Sequence, residues 1–358
     1  MQITTTVPFG PQHPILPEPV HVKCELEEEK VVGVSFEVGY AHRGMEKALE
    51  TDYMKGIYLS ERICGICSNI HTTTYVNAIE KIIGIEAHKR AKYIRTIMAE
   101  LERLHSHLLW LGHAGEAVGF ENLFMRLWDA REIVMDTLEF ISGNRVQYAM
   151  NTIGGVRRDI TPKKEKMIED HMNRLEEKMI EIKRDMLTDY LLKRRTAGVG
   201  VLKKEDAVRL GTVGPNARAS GVPWDLRMTR YEAYEYINFR PIVLEGGDNL
   251  SRVVIRVEES FQAIDIIRQC LNQMTPGRTW YRYRHEVSGE AVARTEPPRG
   301  ELFYYIKGNG TNVLERVKIR TPTFMNLMTL PTILMGLQFA DVPITILSID
   351  PCFSCTDR

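Results

Sequence analysis

The chain has 358 residues, 44% hydrophobic and 26% charged, which is enough apolar material for one large core or two lobes around it. Lysine plus arginine and aspartate plus glutamate number 47 each, so no net field attracts nucleic acid or a polyanionic substrate. Six cysteines are too few for a disulfide scaffold, and four lie in Cys-x-x-Cys pairs, which points to metal or redox chemistry in a reducing compartment.

Met1–Thr6 has neither the charged nor the apolar region of a signal peptide. Val20, Val22, Cys24 and Leu26 alternate with polar residues, as do Val32, Val34, Phe36 and Val38, and the intervening Glu-Glu-Lys reads as a hairpin turn. After Gly84 the pattern turns helical. Ile94, Ile97, Met98, Leu101, Leu104, Leu108 and Leu111 form a stripe that Gly112 is expected to end, and a second helix covers roughly 121–141. Thr161-Pro162 supplies an N-cap and first-turn proline for a charged helix to about Arg195. Its stripe of Ile168, Met172, Leu175, Met179 and Met186 reads as adaptable core filler, not a cofactor box.

Another helix spans about 249–274, and Lys307-Gly308-Asn309-Gly310 predicts a turn between strands near 301–307 and 312–319. The solitary Cys24 and Cys270 read as core residues. The most apolar stretch, Met325–Ile349, is broken by Asn326, Pro331, Gln338, Asp341 and Pro343; it reads as buried protein, so membrane association has to come through partners. With no internal repeat and no low-complexity linker, the expectation is a mainly α chain with small β (α+β). A central bundle of long helices is flanked by short antiparallel β elements in one cooperative domain. Its regions are an N-terminal β region and loop (1–60), the bundle (61–290), and a hairpin with a metal-ligand segment (291–358).

The first cysteine pair is Cys64 and Cys67 in Arg62-Ile63-Cys64-Gly65-Ile66-Cys67; the second is Cys352 and Cys355 in Asp350-Pro351-Cys352-Phe353-Ser354-Cys355. Each puts two sulfurs on one side of a turn. A closed structural zinc site is one reading, although such sites join pairs about 15–20 residues apart, and here 284 residues intervene. A thioredoxin-like motif is another, but it expects one pair within a βαβ pattern. A third reading uses the flanks. Arg62-x-Cys64-Gly65-x-Cys67-x-x-x-His71 and Asp350-Pro351-Cys352-x-x-Cys355 occur with His42-Arg43-Gly44-x-Glu46, Pro297-Pro298-Arg299-Gly300, Thr321-Pro322-Thr323-x-x-Asn326 and Gly10-Pro11-Gln12-His13-Pro14. In this order and over essentially its whole length, the chain resembles the large, catalytic subunit of nickel–iron hydrogenases. The branch is the energy-converting, membrane-associated (Ech-type) one, related to the quinone-site subunit of respiratory complex I.

Splitting H2 heterolytically needs a soft metal to accept hydride and a nearby base for the proton; thiolates suit nickel, and one thiolate can bridge two metals. The resemblance implies that Cys64 and Cys352 are terminal on nickel, while Cys67 and Cys355 bridge nickel to an iron carrying CO and two cyanides. It further implies that Arg299 caps this centre with Asp350 pairing it, that Thr323, Pro298 and Pro322 line it, and that His71 donates to a bridging sulfur. Outside that context Arg299 reads as a surface arginine in a proline-rich loop. Glu18, in Ile15-Leu16-Pro17-Glu18-Pro19, falls in the loop resembling the proton-gate region and is the candidate shuttle; its other reading is a solvated loop glutamate. For Glu46 the resemblance implies a magnesium ligand near the C-terminus; its other reading is an ion-pair partner for Arg43.

Many family members end in a histidine that helps bind this magnesium, whereas the present chain ends Thr356-Asp357-Arg358, and a guanidinium has no atom to ligate a metal. Either the magnesium site is absent, or the terminal carboxylate and Glu46 serve, or Arg358 substitutes electrostatically; the ending fits a precursor trimmed after nickel insertion. The implied partners are a small subunit carrying a cubane iron–sulfur cluster, a ferredoxin-like iron–sulfur subunit, soluble ferredoxin, and integral membrane ion-translocating subunits. These would hold the chain on the cytoplasmic side of the cell membrane. Two rivals stay open: a metal-free complex I-like quinone-site subunit, which is not expected to keep all four cysteines, and a zinc-stapled scaffold subunit.

Overall fold

The structure, a computed structural model, describes residues 4–283 and 286–358; Met1, Gln2 and Ile3 of the stretch read for a leader lie outside the described residues. An antiparallel sheet of β1 (Thr4–Phe9), β2 (His21–Glu27) and β3 (Lys30–Glu37) opens the chain. The expected hairpin is β2–β3, but a bulge at Glu25/Leu26 pairs Leu26 with Val31. Val31 is therefore buried and Val32 faces outward, against the simple alternation. β1, with its mostly exposed threonines, shows no apolar period to predict it.

Helices begin earlier than Gly84. α1 (Met45–Ala48) and α2 (Tyr53–Glu61) lead to the first cysteine pair, and α3 (Ser68–Ile83) leaves it, ending at Gly84 with φ 69°. α3 carries no simple stripe because Ser68, Asn69, His71, Thr72, Thr73 and Thr74 are all buried with the apolar residues. α4 (Lys89–Ala117) runs straight through Gly112. That glycine makes room for a neighbour instead of ending the helix: a Cβ there would stand 3.0 Å from the Trp128 ring. α5 (Glu121–Ser142) follows as expected, then a two-strand ribbon of β4 (Asn151–Thr152) and β5 (Gly155–Val156).

α6 (Pro162–Thr188) starts at the predicted proline, although Thr161 makes no side-chain cap bond. It stops short of Arg195. Asp189 turns the chain and accepts from Leu192 N at 2.6 Å, starting α7 (Tyr190–Thr196). After α8 (Lys204–Arg209) and α9 (Gly214–Ala219), α10 (Asn249–Gln273) completes a bundle in which α4 packs on α5 and α10, and α6 packs on both of these. Ile168, Met172, Leu175, Met179 and Met186 are buried in it, as is Cys270, while Cys24 lies in the core under the first sheet. Each such side chain contributes about 1.5–3 kcal/mol.

A second antiparallel sheet, β6 (Val287–Thr295), β7 (Leu302–Thr311) and β8 (Leu314–Arg320), lies against α3. The turn comes at Asn312-Val313, later than expected. Gly308 sits inside β7, where a Cβ would be 2.2 Å from Val287 O, so the glycine admits β6 to the sheet. The apolar stretch near the end folds into short helices, α11 (Pro322–Asn326), α12 (Leu330–Leu334) and α13 (Val342–Ser348), before α14 (Phe353–Asp357). Among the described residues, no helix is long and apolar enough to cross a membrane.

Candidate metal centre

The turn between α2 and α3 carries Cys64 and Cys67. Cys64 Sγ accepts from Ile66 N and Cys67 N, both at 3.2 Å, and Cys67 is the N-cap of α3, where the helix dipole favours a thiolate. Glu102 of α4 takes the next free amides of α3, accepting from Asn69 N at 2.6 Å and Ile70 N at 3.0 Å. At the other end of the chain Asp350 adopts φ 55°, a left-handed conformation that breaks the path out of α13 and delivers Pro351 and Cys352 to the same place. Cys64 Sγ lies 3.5 Å from Cys352 Sγ, and Cys67 Sγ lies 3.4 Å from Cys355 Sγ. None of the four cysteines is more than 3% exposed.

Arg43 clamps the two segments together. Its Nη1 donates to Arg62 O at 2.9 Å, and its Nη2 to Ile63 O at 2.7 Å and Ser354 O at 3.0 Å. Packing four thiols this tightly splits their acidities. Bonds from Cys355 and Cys64 hold Cys67 down to about 7 against the effect of burial. For Cys352, the bond with Cys355 pulls downward, but the bond with Cys64, burial and the Cys64 charge push the thiol up to about 12. All four can ionise together only with a cation among them. Four buried soft donors fit a nickel–iron pair with bridging thiolates; Cys64, Cys67 and Cys355, with sulfurs within 4.8 Å of one another, also suit a single tetrahedral ion.

Arg299 stands over this cluster, 4% exposed. Its Nη2 pairs with Asp350 Oδ1 at 2.8 Å, its Nε donates to Asp350 O at 3.0 Å, and its Nη1 to Ser106 Oγ at 3.1 Å. Burial works against its charge, but Asp350 and the cysteine sulfurs hold its pKa above the usual range. The buried Pro298 precedes it. The loop is fixed from behind, where Gly300 (φ 122°) lies so close to Gly214 that a Cβ would stand 2.6 Å from Gly214 N. Pro322 opens α11, and Thr323 Oγ1 accepts from Cys352 N at 3.1 Å, leaving the hydroxyl proton for another acceptor.

His71, one turn into α3, brings Nε2 within 3.5 Å of Cys355 Sγ, and its Nδ1 lies 2.7 Å from Tyr304 Oη on β7. Burial lowers the imidazole to about 3, so the ring carries one proton; assigning the Tyr304 hydroxyl as donor to Nδ1 places that proton on Nε2, facing sulfur. Glu18 Oε2 accepts from Phe353 N and from Ser354 N, the latter at 3.0 Å. It is pushed up to about 8, first by burial and then by the charge on Cys352, with the two backbone bonds and Arg299 opposing. A cavity of about 460 Å³, lined by Gln12, His13, Pro14, Leu16, Pro17, Glu18 and Pro19, opens on its other side. Glu18 is thus not a freely solvated loop residue.

Glu46 is separate from the sulfur cluster. It pairs with Lys318 and Arg358, each at 2.9 Å, and not with Arg43, whose guanidinium is spent on carbonyls. Burial raises its pKa, but the bonds from Lys318 and Arg358 outweigh that and hold it below the usual range. The sequence reading missed the roles of Arg43, Tyr304, Glu102 and Ser106. Arg43 lay inside a quoted motif; the others carry no local signal beyond apolar neighbours.

Residues 43–116 match the family model described as nickel-dependent hydrogenase, and residues 117–287 and 280–358 match that of the respiratory-chain NADH dehydrogenase, 49 Kd subunit. The chain is 41% identical to membrane-bound hydrogenase subunit alpha of Pyrococcus furiosus, over 98% of this chain and 87% of that one. It is also 41% identical to the carbon monoxide-induced hydrogenase of Rhodospirillum rubrum, over 99% of each. Against an NADH-quinone oxidoreductase subunit of Clostridium beijerinckii the identity is 34%, over 99% and 97%. A chain of the membrane-bound sulfane sulfur reductase, an archaeal respiratory membrane complex, superposes with a TM-score of 0.94 at 32% identity, over 99% and 98%. By fold and sequence the chain belongs to the large-subunit family of nickel–iron hydrogenases, in the energy-converting, membrane-associated branch related to the quinone-site subunit of complex I.

Proposed function

We propose that the chain is the catalytic large subunit of an energy-converting nickel–iron hydrogenase. It reversibly reduces protons to H2 with electrons from reduced ferredoxin, delivered through a small subunit with a cubane cluster and a ferredoxin-like subunit. Integral membrane partners translocate ions and hold it on the cytoplasmic side of the cell membrane. The observation that carries this reading is the approach of both cysteine pairs, 3.5 and 3.4 Å across the two chain segments, beneath a buried arginine.

When bound, a nickel–iron pair with CO and cyanide on iron supplies the soft acceptor for hydride. Cys64, Cys67, Cys352 and Cys355 would hold it. With that group bound, Arg299 and Thr323 would offer N–H and O–H donors to its acceptor ligands, and Pro298 and Pro322 would line the wall beside them. Asp350 fixes the Arg299 fork by its 2.8 Å pair. His71 Nε2–H tempers the charge on Cys355 sulfur. Glu18, anchored on the backbone after Cys352 and facing the open cavity, takes the proton from the cysteine side and passes it outward.

The test is metal analysis with infrared spectroscopy of the purified complex. Equimolar nickel and iron, with bands from metal-bound CO and cyanide, are expected. Cys64→Ser or Cys352→Ser should lose nickel and H2 evolution together; full activity with normal nickel in either would overturn the ligand assignment. A second reading, a metal-free quinone-site subunit, is favoured by relatives such as the NADH-quinone oxidoreductase subunit of Clostridium beijerinckii, 34% identical over 99% of this chain. It predicts no bound metal, and zinc alone would indicate a structural staple.

A further inference from the structure

All but one of the acceptors around Glu46 named below are already engaged. Its Oε1 accepts from Ile319 N at 3.0 Å and Arg358 Nε at 2.9 Å, and its Oε2 accepts from Lys318 Nζ at 2.9 Å. Nearby, Thr356 O accepts from Arg358 Nη1 at 2.7 Å, Asp357 O meets His42 Nδ1 at 2.6 Å, and Asp357 Oδ2 accepts from Ala41 N at 2.9 Å. Asp357 Oδ1 is a buried oxygen without a hydrogen-bond partner among the described residues. Magnesium demands near-octahedral oxygen coordination, and one unpaired carboxylate oxygen with Arg358 O, which accepts from Arg43 N at 3.3 Å, beside two cationic side chains does not offer it. These residues do not fit a resident divalent ion.

We infer that the Arg358 guanidinium is a built-in cation that takes the structural part of a divalent ion, pinning the segment that carries Cys352 and Cys355 to the N-terminal half. Its planar fork spans from Glu46 on α1 to the Thr356 carbonyl on α14, with the Phe324 ring 5.9 Å away. Arg358 and Glu46 side chains are 20% and 17% exposed, so their attraction is less screened than that of a surface pair. The side chains around it already carry one more positive than negative charge without an added ion. Glu46, Lys47, Arg316, Asp357 and Arg358 line one cavity of about 360 Å³, and Glu50 and Lys318 pair with members of this set, so three carboxylates meet four cationic side chains. A metal with two charges would add to that positive excess. The inference does not depend on what the four sulfurs hold.

The full chain in its purified complex is treated with EDTA and melted with and without millimolar magnesium chloride. The unaltered protein should melt at one temperature in both. Arg358→Ala should melt several degrees lower, Arg358→Lys in between because it keeps the charge and loses the fork, and Glu46→Gln should fall like Arg358→Ala. The double variant should be no worse than the lower single, because both remove one interaction. A melting temperature raised by magnesium in the unaltered protein would overturn the inference, and so would an Arg358→Ala variant that melts like it. If Arg358→Ala does not accumulate as folded protein, Arg358→Lys and Glu46→Gln decide by the same comparison.

Discussion

Two side chains beside the sulfur cluster owe their state to neighbours. Tyr304 holds His71 Nδ1 at 2.7 Å, so Tyr304→Phe leaves the neutral ring free to place its proton on either nitrogen. One neutral hydrogen bond contributes about 0.5–1.5 kcal/mol. On the proposed function, the expected result is a roughly two- to tenfold loss of H2 turnover with nickel and iron retained and the CO and cyanide bands shifted. Unshifted bands and a full rate would leave Tyr304 as mere packing. Glu18 gives a prediction in pH. The unfolded carboxyl titrates at 4.5 and the folded one at about 8, so the folded chain binds this proton more tightly. Stability from Glu18 is then complete below 4.5 and is lost as pH rises towards about 8. Glu18→Gln should flatten that part of the urea-midpoint profile and slow H/D exchange; a profile identical to that of the unaltered chain would place the carboxyl in water. The cysteine pairs stand out by spacing and flanks, and Arg299 and Glu18 only through the resemblance that those flanks carry. Tyr304 could not, because a tyrosine in an alternating strand carries no mark of what its hydroxyl meets across the fold.

Helix α3 shows why local pattern failed where the site is built. Its buried face is polar, since the side chains after Cys67 must satisfy β4, β6 and α4 as well as the sulfurs, and the apolar stripe that reveals α4 and α6 is diluted. Glycines misled in the same way. Gly112 and Gly308 looked like element ends, yet each sits inside an element where another group needs the space of a side chain. The N-terminus of α3 depends on Glu102, whose carboxyl is pushed up to about 8 by burial, with the amides of Asn69 and Ile70 opposing. Glu102→Ala strands two buried N–H groups at about 1–3 kcal/mol each, and should loosen the Cys67 turn. The expected outcome is a destabilised chain that also retains less nickel, while Glu102→Gln, which keeps an acceptor oxygen, should stay near the unaltered protein. Equal denaturation midpoints for Ala and Gln would show that water replaces the carboxyl.

The bundle, the second sheet and the metal-side loops are held in register by charges sealed from solvent. Arg218 on α9 meets Glu259 of α10 at 2.8 Å, Glu296 ahead of the Arg299 loop at 2.8 Å, and Asp225 at 3.0 Å. Arg227 pairs with Asp225 at 2.8 Å and with Glu100 of α4 at 3.3 Å, and Arg103 returns to Glu100 at 3.0 Å. None of this was legible in a sequence whose charges balance overall, because a buried arginine and a solvated one are the same letter. What the sequence did disclose was the helical bundle, from its stripes, and the meeting of the chain's two ends, from its motifs. The network explains how that meeting is kept: Glu296 lies three residues before Arg299, and Arg103 Nη2 donates to Glu296 O at 2.6 Å, so α4 positions the loop directly. Arg218→Met removes the shared cation and leaves Asp225, Glu259 and Glu296 facing one another without water. Breaking a buried pair by deleting one partner costs about 3–5 kcal/mol. The loss should persist in high salt, which screens surface pairs but not this one. Adding Glu296→Gln to Arg218→Met removes one stranded charge and should recover part of it. A denaturation midpoint that the single change barely moves, or one that salt restores, would mean that solvent reaches these carboxylates and that the loop carrying Arg299 is held by packing alone.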